Sequence, residues 1–291
     1  MEIIMKFTAY NLFMADLSKK GLDYAAEHCS SLGFDSVELL DFCGTAPSTL
    51  KERFSAAEMR NTLEKYDFKV ACFSSYANIL CEDREYFDRE IRRQIDYAAA
   101  IGSPHFHHTV IPGLKMYEGM PSYDDVFEEV AERTESIAKY CQERGINCLY
   151  EPQGLYFNGK EGLGRLLNRL SETCPNVGMC ADLGNSIDVD CDPVGVMETL
   201  GNLAKHVHIK DYLVSDESLG LRGEIRSPAG KYLNEVLPGK GVLRLGECLR
   251  ILKTKGYDGP IALEYLGDDE TMKNSMEYVR KLWEEYNYEQ N

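Results

Sequence analysis

Short apolar and β-branched runs alternate with longer amphipathic stretches from one end of the chain to the other. The short runs fall at residues 3–9, 36–40, 69–74, 105–110, 147–151, 177–182, 206–210 and 260–264. Their length and composition suit strands buried on both faces. Helical spacing fills the intervals. Between residues 16 and 33, Leu22, Ala25, Ala26, Cys29 and Leu32 recur every three or four positions, and Gly33 predicts the stop. Residues 84–102, 123–145 and 243–256 repeat the pattern, each closing on glycine.

The eight short runs begin 29 to 54 residues apart. Eight βα units of this size predict an α/β fold, a (β/α)8 TIM barrel, for which roughly 250 residues suffice. An open, doubly wound sheet has the same alternation, and periodicity does not separate the two. No Gly- or Ser-rich linker divides the chain, so one barrel domain is expected over 1–291. The outsized connection is 211–242, after the seventh strand, rich in Gly, Ser and charge. Connections of that length are usually functional.

Charge narrows the partners. Lys and Arg number 32 against 48 Asp and Glu, a net charge of −16. Such a surface repels phosphate backbones, so no nucleic acid is expected. The 10 cysteines include no C-x-x-C pair, which removes zinc-ribbon and redox-pair readings. The first residues do not read as a signal peptide, and no apolar run reaches membrane-spanning length. Free thiols without export predict a cytoplasmic protein.

Four late strands end on metal-binding residue types: Glu151 in "CLYEPQG", Asp182 in "MCADLGN", His208 in "HVHIKD" and Glu264 in "IALEYLG". In a parallel barrel such positions converge at the C-terminal ends of the strands. Unneutralised, three carboxylates there would repel one another. A divalent cation removes that repulsion, and an oxygen-rich set with one imidazole is hard, favouring Mn²⁺, with Mg²⁺ or Co²⁺ as substitutes, over a structural zinc.

At these residues the chain resembles the xylose isomerase-like barrel superfamily, the sugar phosphate isomerases and epimerases. The densest piece is "HVHIKDY" followed by "PGKGVLRLGECLRILKTKGYDGPIALEY". The resemblance implies an eight-stranded barrel holding one divalent metal, Mn²⁺, Mg²⁺, Co²⁺ or Zn²⁺, on Glu151, Asp182, His208 and Glu264. It also implies that Glu151 and Glu264 are the catalytic acid and base, and that homodimers or homotetramers form. The endonuclease IV branch does not fit, because Asn185 replaces its histidine three residues after the Asp and no His follows His208. The ketose 3-epimerase branch fits in part, with Asn185, Val214 and Asn158 where it carries His, Arg and Glu. "DLGN" and "HIKD" look more like the pentulose-phosphate 3-epimerases.

The expected substrate contacts are Asn185, Lys210, His107, Asn158 and Glu38. Lys210 shares the inward face of His208 and could balance an oxyanion or form an interior ion pair. His107 lies in phase with His105 and Thr109, either facing the pocket or hydrogen-bonded in the core. Glu38 and Asn11 sit at the right end for sugar hydroxyls, and Tyr10, Tyr76, Tyr156 and Phe157 for an apolar wall. Arg222, Arg226, Lys231 and Lys240 are either a phosphate clamp or a solvated loop. Three functions remain open on a small sugar or keto-sugar. The first is an isomerase or epimerase working through an enediolate. The second is a lyase eliminating water or an aglycone, as inosose dehydratases do. The third is a barrel that binds without reacting.

Overall fold

The computed structural model describes residues 5–43 and 50–288, with side chains up to residue 285. Seven parallel strands arrive in sequence order: β1 (Phe7–Ala9), β2 (Ser36–Cys43), β3 (Lys69–Ala77), β4 (His105–His108), β5 (Asn147–Tyr150), β6 (Val177–Asp182) and β7 (Ala204–Ile209). The chain then makes a small antiparallel sheet of β8 (Asp211–Ser215), β9 (Ile225–Arg226) and β10 (Tyr232–Val236), with β10 in the middle. It returns as β11 (Ile261–Leu263), which pairs with both β7 and β1, while β1 pairs with β2. The sheet is therefore closed, and the open doubly wound alternative is excluded. Residues 3 and 4 of the expected first strand lie outside the described residues. None of the described helices is long and apolar enough to cross a membrane.

Helix boundaries follow local chemistry. Gly33 ends Leu22–Leu32 in the left-handed region at φ 91°, its N–H closing on the Cys29 and Ser30 carbonyls. The single helix expected from residue 16 is instead two, Asn11–Lys20 and Leu22–Leu32, because Gly21 at φ 92°, ψ 174° interrupts the ladder. Helix Tyr123–Glu143 opens on a capping box between Ser122 and Asp125.

The main apolar core lies between the strands and the surrounding helices, where Phe73, Phe106 and Tyr150 are fully buried. Inside the barrel the apolar content is small: Cys72, Leu149 and Cys180 form a separate plug. The next inward position above each plug residue is polar, Ser74, Glu151 and Asp182, so the fold leaves its interior free for chemistry at the C-terminal end.

The excursion over 211–242 is tied down by one carboxylate. Buried Asp211 accepts from the backbone N–H groups of Gly239 and Gly241 on Oδ2, at 2.9 and 3.0 Å. Its Oδ1 accepts from Tyr212 and Leu243, at 2.8 and 3.0 Å. Gly241 is needed for this approach, since a Cβ there would lie 2.2 Å from Asp211 Oδ1 and 2.3 Å from the Tyr212 carbonyl oxygen. Asp211→Ala leaves four N–H groups without their acceptor and is expected to cost on the order of 3 kcal/mol. Urea denaturation of the variant would measure it, and a loss under about 0.5 kcal/mol would show that the carboxylate does not hold the turn.

Candidate active site at the C-terminal mouth of the barrel

Strand ends deliver the four residues singled out by their chemistry. Asp182 is the last residue of β6, and His208 lies within β7, opposite both Asp182 on β6 and Ala262 on β11. Glu151 and Glu264 each follow directly on the last residue of their strands. His208 Nδ1 lies 3.2 Å from Glu264 Oε2, 3.7 Å from Glu151 Oε2 and 4.0 Å from Asp182 Oδ2. Glu151, Asp182 and His208 are buried, while the Glu264 side chain keeps 20% of its surface open.

Glu38 explains why the imidazole points this way. Both Glu38 oxygens sit 3.0 Å from His208 Nε2, and Oε2 is 2.7 Å from His206 Nε2. Burial opposes its ionisation, but His208 and His206 outweigh burial and hold the carboxyl well below its ordinary range. An ionised carboxylate only accepts, so both Nε2 atoms donate. With Nε2 carrying a hydrogen, a neutral His208 turns the Nδ1 lone pair toward the three carboxylates. This carboxylate–histidine pairing is how metal-ligating imidazoles are commonly fixed.

Three atoms at this point, His208 Nδ1, Asp182 Oδ2 and Glu264 Oε2, are buried without a hydrogen bond, the two oxygens sharing one ion-pair partner, the Lys210 ammonium. Ligand atoms of Glu151, Asp182 and His208 lie within 4.8 Å of one another. Buried atoms of this kind call for a bound group, and the donor set is hard and oxygen-rich. The residues fit a divalent cation.

The surrounding charges behave accordingly. Burial pushes the Asp182 carboxyl well above its ordinary value, against the pull of Lys210 and with a further push from Glu264. Burial likewise works against ionised Glu264, yet Lys210 and His208 hold it well below the usual range. Glu151 is lowered too, against burial, chiefly by His107. The His208 imidazole is raised despite burial, by Cys180 and by Glu38. Asp182 Oδ1 is not among the orphans: it accepts from Gly184 and Asn185 backbone N–H at 2.7 and 2.6 Å, which fixes Oδ2 toward the site.

The five expected substrate contacts separate by location. Lys210 is engaged, its Nζ 3.0 Å from Glu264 Oε2 and 3.3 Å from Asp182 Oδ2. His107 faces inward: Nδ1 is 2.9 Å from Ser74 Oγ, and Nε2, without a hydrogen-bond partner, is 3.4 Å from Glu151 Oε1. Asn185 offers a buried, unpartnered Nδ2. Asn158 instead spends its side chain on the Asn185 carbonyl, at 3.0 Å, and on the Gly159 N–H. Glu38 lies beneath the pocket, fully buried, with its oxygens committed to two histidines and to Ser74.

Of the expected apolar wall, Tyr10 lies against His208 with ring centroids 5.2 Å apart, and Tyr76 is half-open at the mouth. Tyr156 hydrogen-bonds to the Pro121 carbonyl and Phe157 packs on Tyr123, so neither is aligned with the site residues. Asn11 begins the first helix. Of the loop cations, Lys231 pairs with Asp216, and Arg226 lies over the Tyr232 ring. His206 and Ser74 were missed. The signal for His206 was present, since it lies in phase two residues before His208.

Residues 26–282 match the model of a family described as xylose isomerase-like TIM barrel. An inosose dehydratase of Yersinia enterocolitica is 25% identical over 177 residues, 57% of this chain and 56% of that protein. The inosose dehydratase of Clostridium botulinum is 22% identical over 284 residues, covering 92% and 90% of the two chains. Among solved structures, a xylose isomerase-like TIM barrel protein from Mycobacterium smegmatis, in complex with magnesium, superposes with a TM-score of 0.71 at 16% identity, over 97% of each chain. At that identity the likeness speaks for the fold.

Proposed function

The chain belongs to the xylose isomerase-like TIM barrel family, and from that premise we propose that it is a divalent-metal-dependent enzyme that moves a proton beside the carbonyl of a small polyhydroxylated substrate. The observation that carries this reading is the convergence of buried His208 Nδ1, Asp182 Oδ2 and Glu264 Oε2 beside Glu151, three carboxylates facing one imidazole lone pair with the Lys210 ammonium at their edge. Glu151, Asp182, His208 and Glu264 would hold the cation, for which Mn²⁺ or Mg²⁺ suits the donors. Bound there, a divalent cation supplies Lewis-acid polarisation of the carbonyl.

The protein's own groups supply the rest. Glu151 and Glu264 leave different strands, β5 and β11, so they reach the site from different sides. One removes the proton beside the carbonyl and the other delivers it. Each glutamate has a nitrogen neighbour that steadies its charge: His107 Nε2 beside Glu151 Oε1, and Lys210 Nζ beside Glu264 Oε2. Asn185 Nδ2 is free to donate to a substrate hydroxyl. Delivery of the proton to the opposite face gives an epimer, and delivery to the neighbouring carbon an isomer.

Elimination is a second reading, favoured by the two inosose dehydratase relatives, one of them matched over 90% of its length. Loss of a β-hydroxyl from the same enediolate would give it. Incubation in D₂O with pooled ketoses, pentulose phosphates and inososes, with and without Mn²⁺, tests both. Metal-dependent deuterium beside a carbonyl is expected, and product mass separates an isomer from a species one water lighter. A pool that exchanges equally well without metal would contradict the proposal.

A further inference from the structure

The inner faces of β2 and β3 run from the buried floor of the site to its open mouth. On β2 the in-phase positions are Glu38, Leu40 and Phe42, and on β3 they are Ser74 and Tyr76. The lower members identify the face, because Glu38 holds His206 and His208, and Ser74 joins Glu38 to His107. The strand register sets Phe42 opposite Tyr76, and their rings lie 5.9 Å apart at 53°. These two rings are 41% and 38% exposed, unlike everything beneath them.

The far wall has the opposite character. Asn185 with its unpartnered Nδ2 and the Lys210–Asp182 pair stand there. On the strands themselves the inner wall is therefore aromatic at the top of β2–β3 and polar at the ends of β6 and β7. Of the other exposed large hydrophobics among the described residues, Met116 and Tyr117 follow β4, while Leu219, Leu221, Val242 and Leu266 follow β7 and β11, and Phe42 and Tyr76 stand apart as a ring pair carried on the strands themselves. Scattered apolar residues need no explanation, but two exposed rings in contact on the inner face that carries the chemistry do.

We propose that the site takes a keto-sugar bearing an apolar aryl substituent, the sugar lying over the carboxylates and the aryl group against Phe42 and Tyr76. This rests on the reading that a polyol binds at the carboxylates. A free sugar leaves the aromatic pair in water, and a phosphate group would have to compete for Lys210 with the two carboxylates that already bridge it. An aryl group buries the pair and adds ring–ring contact.

The test compares binding of 4-nitrophenyl and methyl 3-keto-β-D-glucosides by calorimetry and by saturation-transfer NMR, on wild type, F42A/Y76A and the ring-preserving F42Y. The aryl glycoside is expected to bind about tenfold more tightly. F42A/Y76A should remove that advantage without altering the methyl glycoside, and F42Y should keep it. Equal affinities in the wild type would overturn the proposal. So would equal weakening of both glycosides in F42A/Y76A, the mark of a pyranose face resting on the pair. An aryl preference that survives in a folded F42A/Y76A, checked by thermal melting, would place the substituent elsewhere. Sedimentation that finds a wild-type dimer dissociated by F42A/Y76A, with glycoside binding unchanged, would make the wall an interface between copies. Deuterium exchange on keto-sugars without an aryl preference sinks this proposal alone; an aryl preference without exchange sinks only the proton-transfer reading.

Discussion

Glu151→Gln and Glu264→Gln are each expected to lower kcat by about 10² to 10⁴, the range that a positioned acid or base contributes. Glutamine keeps the shape of glutamate and can still offer an oxygen, but it neither accepts nor delivers a proton at neutral pH. The two variants should differ in their side effects. Glu151 is buried beside His107 Nε2, so its replacement leaves the imidazole without its neighbouring charge. Glu264 is partly open and sits on Lys210, so its replacement frees one side of the ammonium. Since each glutamate is also a proposed ligand, bound Mn²⁺ should be counted by atomic emission alongside turnover. Wild-type turnover in either variant would remove that residue from the acid–base pair, and lost turnover with lost metal would assign it to metal binding instead.

Glu38→Gln is expected to weaken Mn²⁺ binding 10- to 100-fold although residue 38 never touches the cation. That factor corresponds to about 1.4 to 2.7 kcal/mol. Proton placement is the cause. Glu38 accepts from the Nε2 atoms of His206 and His208, and this requires hydrogens on both. A glutamine offers one accepting oxygen and one donating nitrogen in the same space. In either orientation the amide nitrogen stands 3.0 Å from His208 Nε2, which disfavours a hydrogen there and favours one on Nδ1, the atom whose lone pair faces Glu151, Asp182 and Glu264. Titration with Mn²⁺ followed by electron paramagnetic resonance measures the loss, and a thermal melt of the metal-free variant separates it from unfolding. Unchanged affinity would mean that His208 needs no orientation from below.

Much of this was legible along the chain. Residues buried on both sides of a parallel sheet must read as continuous apolar runs, which is why eight strands could be placed and why Gly33 could be named as a helix stop. Acids and a histidine closing four consecutive late strands stood out because such residues interrupt apolar runs only where something compensates them. The two helices in place of one at Gly21, and the antiparallel sheet inside 211–242, were not legible. Both depend on backbone angles and on contacts such as Asp211 with Gly239 and Gly241, residues 28 and 30 positions apart.

By itself the sequence determined the alternation of strands and helices, the acidic surface and the four strand-end residues, because each of these is written in the period and type of neighbouring residues. Only the tertiary structure decided that the sheet closes, since closure is a pairing of β1 with β11 across the length of the chain. It alone placed Glu38 beneath His208, 170 residues away, rather than among substrate hydroxyls. It also turned Asn158 onto the Asn185 carbonyl and set Phe42 beside Tyr76 at the mouth. Periodicity says which face a side chain occupies; which partner waits on that face is fixed when distant strands are brought into register.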